Sequence, residues 1–104
     1  MIYQKYNLIL YYMKPQFKKS NVKNKKYSVI TPSGKKIHFG DKNYFHFKDT
    51  ALGLFTNLNH NDKKRQKNYC TRSAGIKDKQ GKLTKNNKES PNHYSMRYLW
   101  SCGN

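Results

Sequence analysis

The sequence predicts a small single domain of the α+β class, preceded by a flexible basic arm. Its 104 residues are too few to build two hydrophobic cores. A β-hairpin signature is followed by the signatures of two helices. Aromatic residues make up 14% of the chain and supply core material, although only 35% of the residues are hydrophobic. We therefore expect residues 1–25 to form an N-terminal extension and basic arm, and residues 26–104 to form the folded domain.

The arm is predicted from residues 14–26, which contain six lysines and no Asp or Glu. Low hydrophobicity with high net charge is typical of disordered segments, so this stretch is expected to be flexible. A merely solvated linker is the competing interpretation. The apolar run Leu8–Met13 is too short to cross a bilayer, which requires about 20 apolar residues, and no small-residue cleavage site follows it. Secretion is therefore not expected.

The most clearly marked element is a β-hairpin. The runs 27–31 and 35–40 are rich in β-branched and aromatic residues and flank Pro32-Ser33-Gly34. Pro32 presets the first turn dihedral, and Gly34 is able to adopt the left-handed conformation. Alternation along each strand places one set of side chains on a common face: Tyr27, Val29 and Thr31 on the first strand, Ile37 and Phe39 on the second.

A basic helix is expected from Asp62 to about Ser73. Asn61 is a suitable N-cap, Asp62 interacts favourably with the helix dipole, and Gly75 suits the position after the C-terminus. A helical period of about 100° per residue divides the side chains into three groups. The inner side holds Gln66, Tyr69, Cys70 and Ser73, the outer side holds Lys64, Lys67 and Thr71, and one flank holds Arg65 and Arg72.

The remaining segments are less regular. Residues 41–59 are rich in apolar side chains without clear periodicity, so a short helix and irregular turns both stay open. Residues 77–82 have the composition of a polar turn. Ser90-Pro91 is typical of an N-cap followed by the first residue of a helix, which predicts a C-terminal helix packed on the hairpin. Alternating aromatic residues over 94–100 leave a strand as the alternative.

No motif in the chain indicates catalysis or a bound metal, so we expect no enzyme activity and no cofactor. The four histidines are dispersed, and Cys70 and Cys102 are 32 residues apart, which matches no structural zinc site. Two cysteines are too few for a disulfide framework, so reduced thiols in an intracellular chain are expected. His60 before a helix, with His38 in the hairpin, makes an HNH-like nuclease a distant third interpretation, but His60 is better explained as a residue preceding a helix cap.

The net charge of +17, from 22 basic and 5 acidic residues, indicates an anionic partner. An A+T-rich genome explains abundant lysine but not scarce acids. Lysine contacts phosphates and releases counterions, whereas arginine, which suits bidentate base readout, occurs only three times. The pattern therefore favours sequence-independent binding to the backbone of DNA or RNA. The predicted contact residues are Lys18, Lys19, Lys23, Lys25, Lys26, Lys35, Lys36, Lys63, Lys64, Arg65, Lys67 and Arg72.

An unusual series of blocks runs through most of the chain. The blocks are residues 27–41, 58–65, 68–69 and 73–77, followed by Ser90-Pro91 and residues 98–100. Over about residues 26–100 the series resembles a family of small basic proteins from giant nucleocytoplasmic large DNA viruses of the mimivirus-like group. The resemblance implies a protein of the virion or of the viral factory in the host cytoplasm. It implies no catalytic residues, because that family is uncharacterised.

Two functions are consistent with these observations. The leading one is sequence-independent nucleic-acid binding that packages or condenses a viral genome. The alternative is a minor virion structural protein that cements capsid or core components by binding acidic protein surfaces. A membrane partner is not expected, because the basic stretch lacks the apolar face of an interfacial helix.

Overall fold

The computed structural model describes residues 15–103, which form a three-stranded antiparallel sheet and two α-helices. The predicted α+β class is thereby confirmed. Strands β1 (Phe17–Lys19), β2 (Lys25–Ile30) and β3 (Lys36–Asp41) lie in that order across the sheet. A single 3-10 turn (Thr56–Leu58) precedes helices α1 (Lys63–Ser73) and α2 (Pro91–Tyr98).

The predicted hairpin is confirmed as β2 and β3. Tyr27 pairs with Phe39 and Val29 pairs with Ile37, and all four side chains are buried on the face that the alternation predicts. The turn between them closes with hydrogen bonds from Gly34 N to Thr31 O and from Thr31 N to Lys35 O, both 2.8 Å long. Gly34 has a φ of +88°, the conformation for which glycine is the least costly residue.

The prediction of a flexible arm up to residue 25 is wrong for the residues that the structure describes. Phe17 pairs with Val29 at the start of β1, and the ring of Phe17 lies 4.7 Å from the ring of Tyr98, centroid to centroid. The arm therefore enters the sheet, and the expected domain boundary at residue 26 falls inside β2. The packing of Phe17 and the pairing of β1 with β2 stabilise this segment despite its high charge, because the lysines of β1 are exposed to solvent and their charges stay hydrated. The rest of the predicted arm, residues 1–14, lies outside the described residues.

The core is built largely from aromatic rings between the sheet and α2. The ring of Phe39 lies 5.8 Å from that of Tyr27 and 5.8 Å from that of Tyr94 on α2. Leu99, which follows α2, is 1% exposed in the same cluster. The C-terminal element is thus a helix that packs on the hairpin, and the strand alternative is wrong. The side chain of Ser90 caps α2 by accepting a hydrogen bond from Asn92 N, as its position before Pro91 predicts.

Helix α1 has the predicted sides but a different cap. Asp62, rather than Asn61, is the N-cap, and its carboxylate accepts hydrogen bonds from Lys64 N and Arg65 N. Asn61 instead takes a left-handed conformation with a φ of +54°. The side chains predicted to lie inside are partly or fully buried, and those predicted to lie outside or on the arginine flank are exposed.

Irregular residues 42–55 are ordered by a buried carboxylate. Asp49 is 6% exposed and accepts a 2.6 Å hydrogen bond from the Tyr27 hydroxyl. The same carboxylate accepts hydrogen bonds from Ala51 N and Phe55 N, each 3.0 Å long. These bonds replace the backbone pairing that regular secondary structure would supply.

Cys70 and Cys102 form a disulfide, so the expectation of reduced thiols is wrong. Their Cα atoms lie 5.5 Å apart, which joins α1 to the segment after α2. The sequence separation of 32 residues carries no sign of this contact, because only the packing of α1 beside α2 brings the two cysteines together. Over residues 15–103, the two helices are too short and too polar to cross a membrane.

Candidate functional site

A cleft of about 680 Å³ opens at the end of the hairpin that is opposite its turn. Four parts of the chain line it: the paired ends of β2 and β3, the turn at residues 43–45, one side of α1, and α2 with the residues that follow it. Its volume falls within the range of about 300–1,000 Å³ that is typical of ligand sites.

Four cationic residues and one carboxylate line this cleft: Lys25, Lys26, Arg65 and Arg72, with Asp41. Arg65 and Arg72 are seven residues apart in the sequence. They therefore project from the same side of α1, separated by about 10 Å along its axis. Both are exposed, and they are two of the three arginines of the chain. The cleft thus has an excess of positive charge and two planar guanidinium groups that match the geometry of phosphate oxygens.

Four aromatic residues line the same cleft, and they differ in how far they are covered. Tyr69 and Trp100 stack on each other, with centroids 4.0 Å apart and an interplanar angle of 8°. Tyr44 and Phe45 are 68% and 55% exposed, and within residues 15–103 neither ring packs on another ring. Two aromatic rings in the cleft therefore have faces open to a ligand.

A buried lysine holds the turn that carries these two exposed rings. Lys26 is 2% exposed, and its Nζ donates a 2.9 Å hydrogen bond to the carbonyl oxygen of Tyr44. The same Nζ lies 2.8 Å from Nδ1 of His46. Nε2 of His46 lies 2.7 Å from the acceptor Oδ1 of Asn59, so the imidazole carries its proton on Nε2 and accepts from Lys26 at Nδ1.

Burial lowers the pKa of Lys26 from 10.5 to about 8, and the negative charges of Asp41 and Asp49 limit the fall. The pKa of His46 is lowered by burial and then by the positive charge of Lys26. At neutral pH the pair therefore carries a single charge, which lies on the lysine and is shared through its hydrogen bond to a neutral imidazole.

All five carboxylates of the chain accept hydrogen bonds from backbone amides: Asp41, Asp49, Asp62, Asp78 and Glu89. Glu89 also accepts 2.5 Å hydrogen bonds from the hydroxyls of Thr31 and Ser33, which clamps the hairpin turn. These bonds, that of Ser33 first, lower the pKa of Glu89. The acids are thus used to cap a helix and to close turns, which explains why the chain retains any acids beside so many lysines.

Eleven of the twelve predicted contact residues are exposed, but they do not form one surface. Lys18 and Lys19 lie on the edge strand β1, and Lys23 lies in the turn before β2. Lys35 and Lys36 lie at the hairpin turn, about 16 Å from Lys25 along the strands. Lys63, Lys64 and Lys67 cover the outer side of α1, away from the stacked Tyr69.

Lys26 is the exception, and its prediction as a surface contact is wrong. The turn at residues 43–46 covers the face of β2 from which its side chain projects, so Nζ bonds inside the protein. The structure brings together Lys25, Arg65 and Arg72 around the cleft, beside this buried amine.

A family model matches residues 16–73, which is more than half of the chain. The chain belongs to DUF5754, a family of unknown function. The DUF5754 segment runs from β1 to the end of α1 and includes the turn at residues 43–45, so it supplies most of the cleft. Trp100 and the disulfide partner Cys102 come from outside the matched segment. No curated protein and no solved structure matches the chain.

The histidines considered for a nuclease have structural partners. Nδ1 of His38 lies 2.8 Å from the hydroxyl of Ser20, and Nδ1 of His60 accepts a hydrogen bond from Asp62 N. The ring of His60 lies 5.1 Å from that of Trp100. Within residues 15–103, no three His, Cys, Asp or Glu side chains are grouped so as to hold a metal ion.

The sequence reasoning missed Tyr44, Phe45 and Trp100 as candidate site residues. Because aromatic residues supply much of the core material in this chain, the sequence predicts most of them to be core residues. In an extended segment one of two adjacent rings would point outward, but residues 41–59 show no strand periodicity, so the sequence carries no firm signal for Tyr44 and Phe45.

Proposed function

We propose that this protein binds nucleic acid independently of sequence, through contacts between its lysine-rich surface and the phosphate backbone. The commitment of all five carboxylates to internal caps and turns carries the proposal. Because the acids serve the fold, the surplus of 17 positive charges needs a reason outside the fold, and a polyphosphate backbone supplies one.

The outer side of α1 is the best-defined contact surface. Its lysines are exposed on a capped helix whose opposite side packs against the protein. Lysine is a compact charge that suits contacts with phosphates at any sequence. This surface is convex and suits a duplex, because one helix side can follow a groove or a phosphate ridge without deforming the domain.

Affinity for DNA and RNA duplexes should fall steeply with salt and should differ little between two unrelated duplexes of equal length. Replacing Lys64 and Lys67 by alanine should lower the slope of log K against log[salt] by about 1.8 on double-stranded DNA, since each lost contact contributes about 0.9. The control is Lys79→Ala with Lys82→Ala, which removes equal charge from an exposed turn outside α1. Equal slopes for both double variants and the parent, or a strong preference for one duplex, would contradict the proposal.

The biological context stays part of the proposal. If the resemblance to small basic proteins of giant viruses holds, the ligand is a viral genome that the protein packages or condenses, in the virion or in the viral factory. The competing function, cementing of virion proteins, is favoured by one observation: Leu52 and Leu54 are 50% and 53% exposed in the same turn. Copurification before and after nuclease treatment separates the two functions, because only a protein partner survives nuclease.

A further inference from the structure

The cleft between α1 and the end of the hairpin differs from the rest of the basic surface, because it is concave and aromatic as well as cationic. We infer that it is a binding site for an unpaired nucleotide within a single-stranded nucleic acid. The base would stack against Tyr44 and Phe45, and the flanking phosphates would be held by Arg65 and Arg72. This inference deepens the proposed function and rests on it.

The shape of the cleft selects against a duplex. Its volume of about 680 Å³ is that of a small-ligand site, and its rings line a concave wall. A duplex presents phosphates outside and keeps its bases stacked, so its bases cannot reach rings inside such a wall. An unpaired base can enter and stack, and stacking tolerates any sequence because every base has a π-face.

The rings are presented by an anchored turn. Tyr44 N donates to Asp41 O at 3.2 Å, and Tyr44 O accepts from the buried Lys26. His46, two residues after Tyr44, is fully buried, and both of its ring nitrogens form hydrogen bonds. Such an anchorage is not needed for aromatic side chains that only lie at the edge of a core. A rigid support reduces the conformational entropy that the protein loses when a ligand binds.

The charge that α1 contributes to the cleft is suited to phosphates. Arg65 and Arg72 are separated by two helical turns, which allows them to contact different phosphates of one strand rather than one shared group. Lys25 adds a third exposed cation at the end of β2. Asp41 is the one carboxylate that lines the cleft, and its Oδ1 accepts a 2.8 Å hydrogen bond from the backbone amide of Asn43.

The test compares an oligothymidylate of about 12 nucleotides with a duplex of equal length. Binding is followed by fluorescence anisotropy of the labelled nucleic acids and by the emission of Trp100, the only tryptophan in the chain, which lines the cleft. Tyr44→Ala and Phe45→Ala should each weaken oligothymidylate binding about tenfold, while duplex affinity changes less than about twofold. Tyr44→Phe, which keeps the stacking face, should bind like the parent.

Leu54→Ala is the matched control, because it truncates an apolar side chain of similar exposure outside the cleft. It should leave both affinities unchanged, and melting temperatures should show that all variants are folded. Ring variants that bind oligothymidylate like the parent would overturn the inference, while duplex binding by the parent would leave the proposed function intact. A parent that binds neither nucleic acid would refute both.

Discussion

The buried amine of Lys26 predicts how the stability of the protein responds to alkaline pH. The pKa of Lys26 falls from 10.5 to about 8 on folding, chiefly because burial disfavours the charged form. Between these two values the unfolded chain binds more protons than the folded one, so the free energy of unfolding should rise with pH. With the two pKa values given, the rise from about pH 7 to about pH 10 amounts to about 2–3 kcal/mol.

The prediction concerns the difference between two variants, so that contributions common to both cancel. Lys26→Met keeps an unbranched side chain of similar length and removes the titrating amine. Urea unfolding of the parent and of Lys26→Met at intervals of pH should show the free energies of unfolding diverging by about 2–3 kcal/mol in favour of the parent as pH rises to about 10. Lys25→Met removes the exposed neighbour on the same strand, and its curve should run parallel to that of the parent.

A second measurement tests the contact itself. The charge of Lys26 is the second cause, after burial, of the lowered pKa of His46. Removing that charge should raise the pKa of the His46 imidazole, which a proton NMR titration of its ring would detect. Parallel stability curves for the parent and Lys26→Met, with an unmoved His46 titration, would refute the argument that these two groups share a buried hydrogen bond.

Two further predictions concern how the strands and the C-terminal segment are held. Gly40→Ala should destabilise the fold by about 2–4 kcal/mol, because φ is +78° and the added Cβ would lie 2.8 Å from Cδ1 of the buried Leu99. Gly34→Ala is the control, because φ is positive there as well, at +88°, but an added Cβ would have nothing within 4 Å, so it should cost only about 1 kcal/mol. Equal melting temperatures for the two alanine variants would contradict the predicted clash with Leu99. Cys102→Ser should lower the free energy of unfolding by about 3–4 kcal/mol, because the disulfide closes a loop across 32 residues. Denaturant titration would measure this loss. A reducing agent should lower the stability of the parent by the same amount and should leave that of the variant unchanged.

Local signals in the sequence were sufficient for the hairpin and α1 and for the direction in which their side chains point, and they favoured a helix over a strand at α2. These features depend on short-range physics: a Pro-Ser-Gly turn, strand alternation, a Ser-Pro helix start and a helical period. The excess of lysine is likewise visible in the composition alone, and it supports the proposed polyanionic ligand together with the use of the five acids inside the fold.

Only the tertiary structure decided the features that depend on distant parts of the chain. Phe17 joins the sheet because Tyr98 and the other core rings receive it, and Cys70 meets Cys102 because α1 packs beside α2. In the sequence Lys26 cannot be distinguished from the surface lysines, and only the tertiary structure places it under the turn at residues 43–46. The cleft has the same origin, because its arginines, exposed rings and strand ends are far apart in the sequence. They come together only when the packing of the helices offsets the entropy lost in closing the loops between these elements.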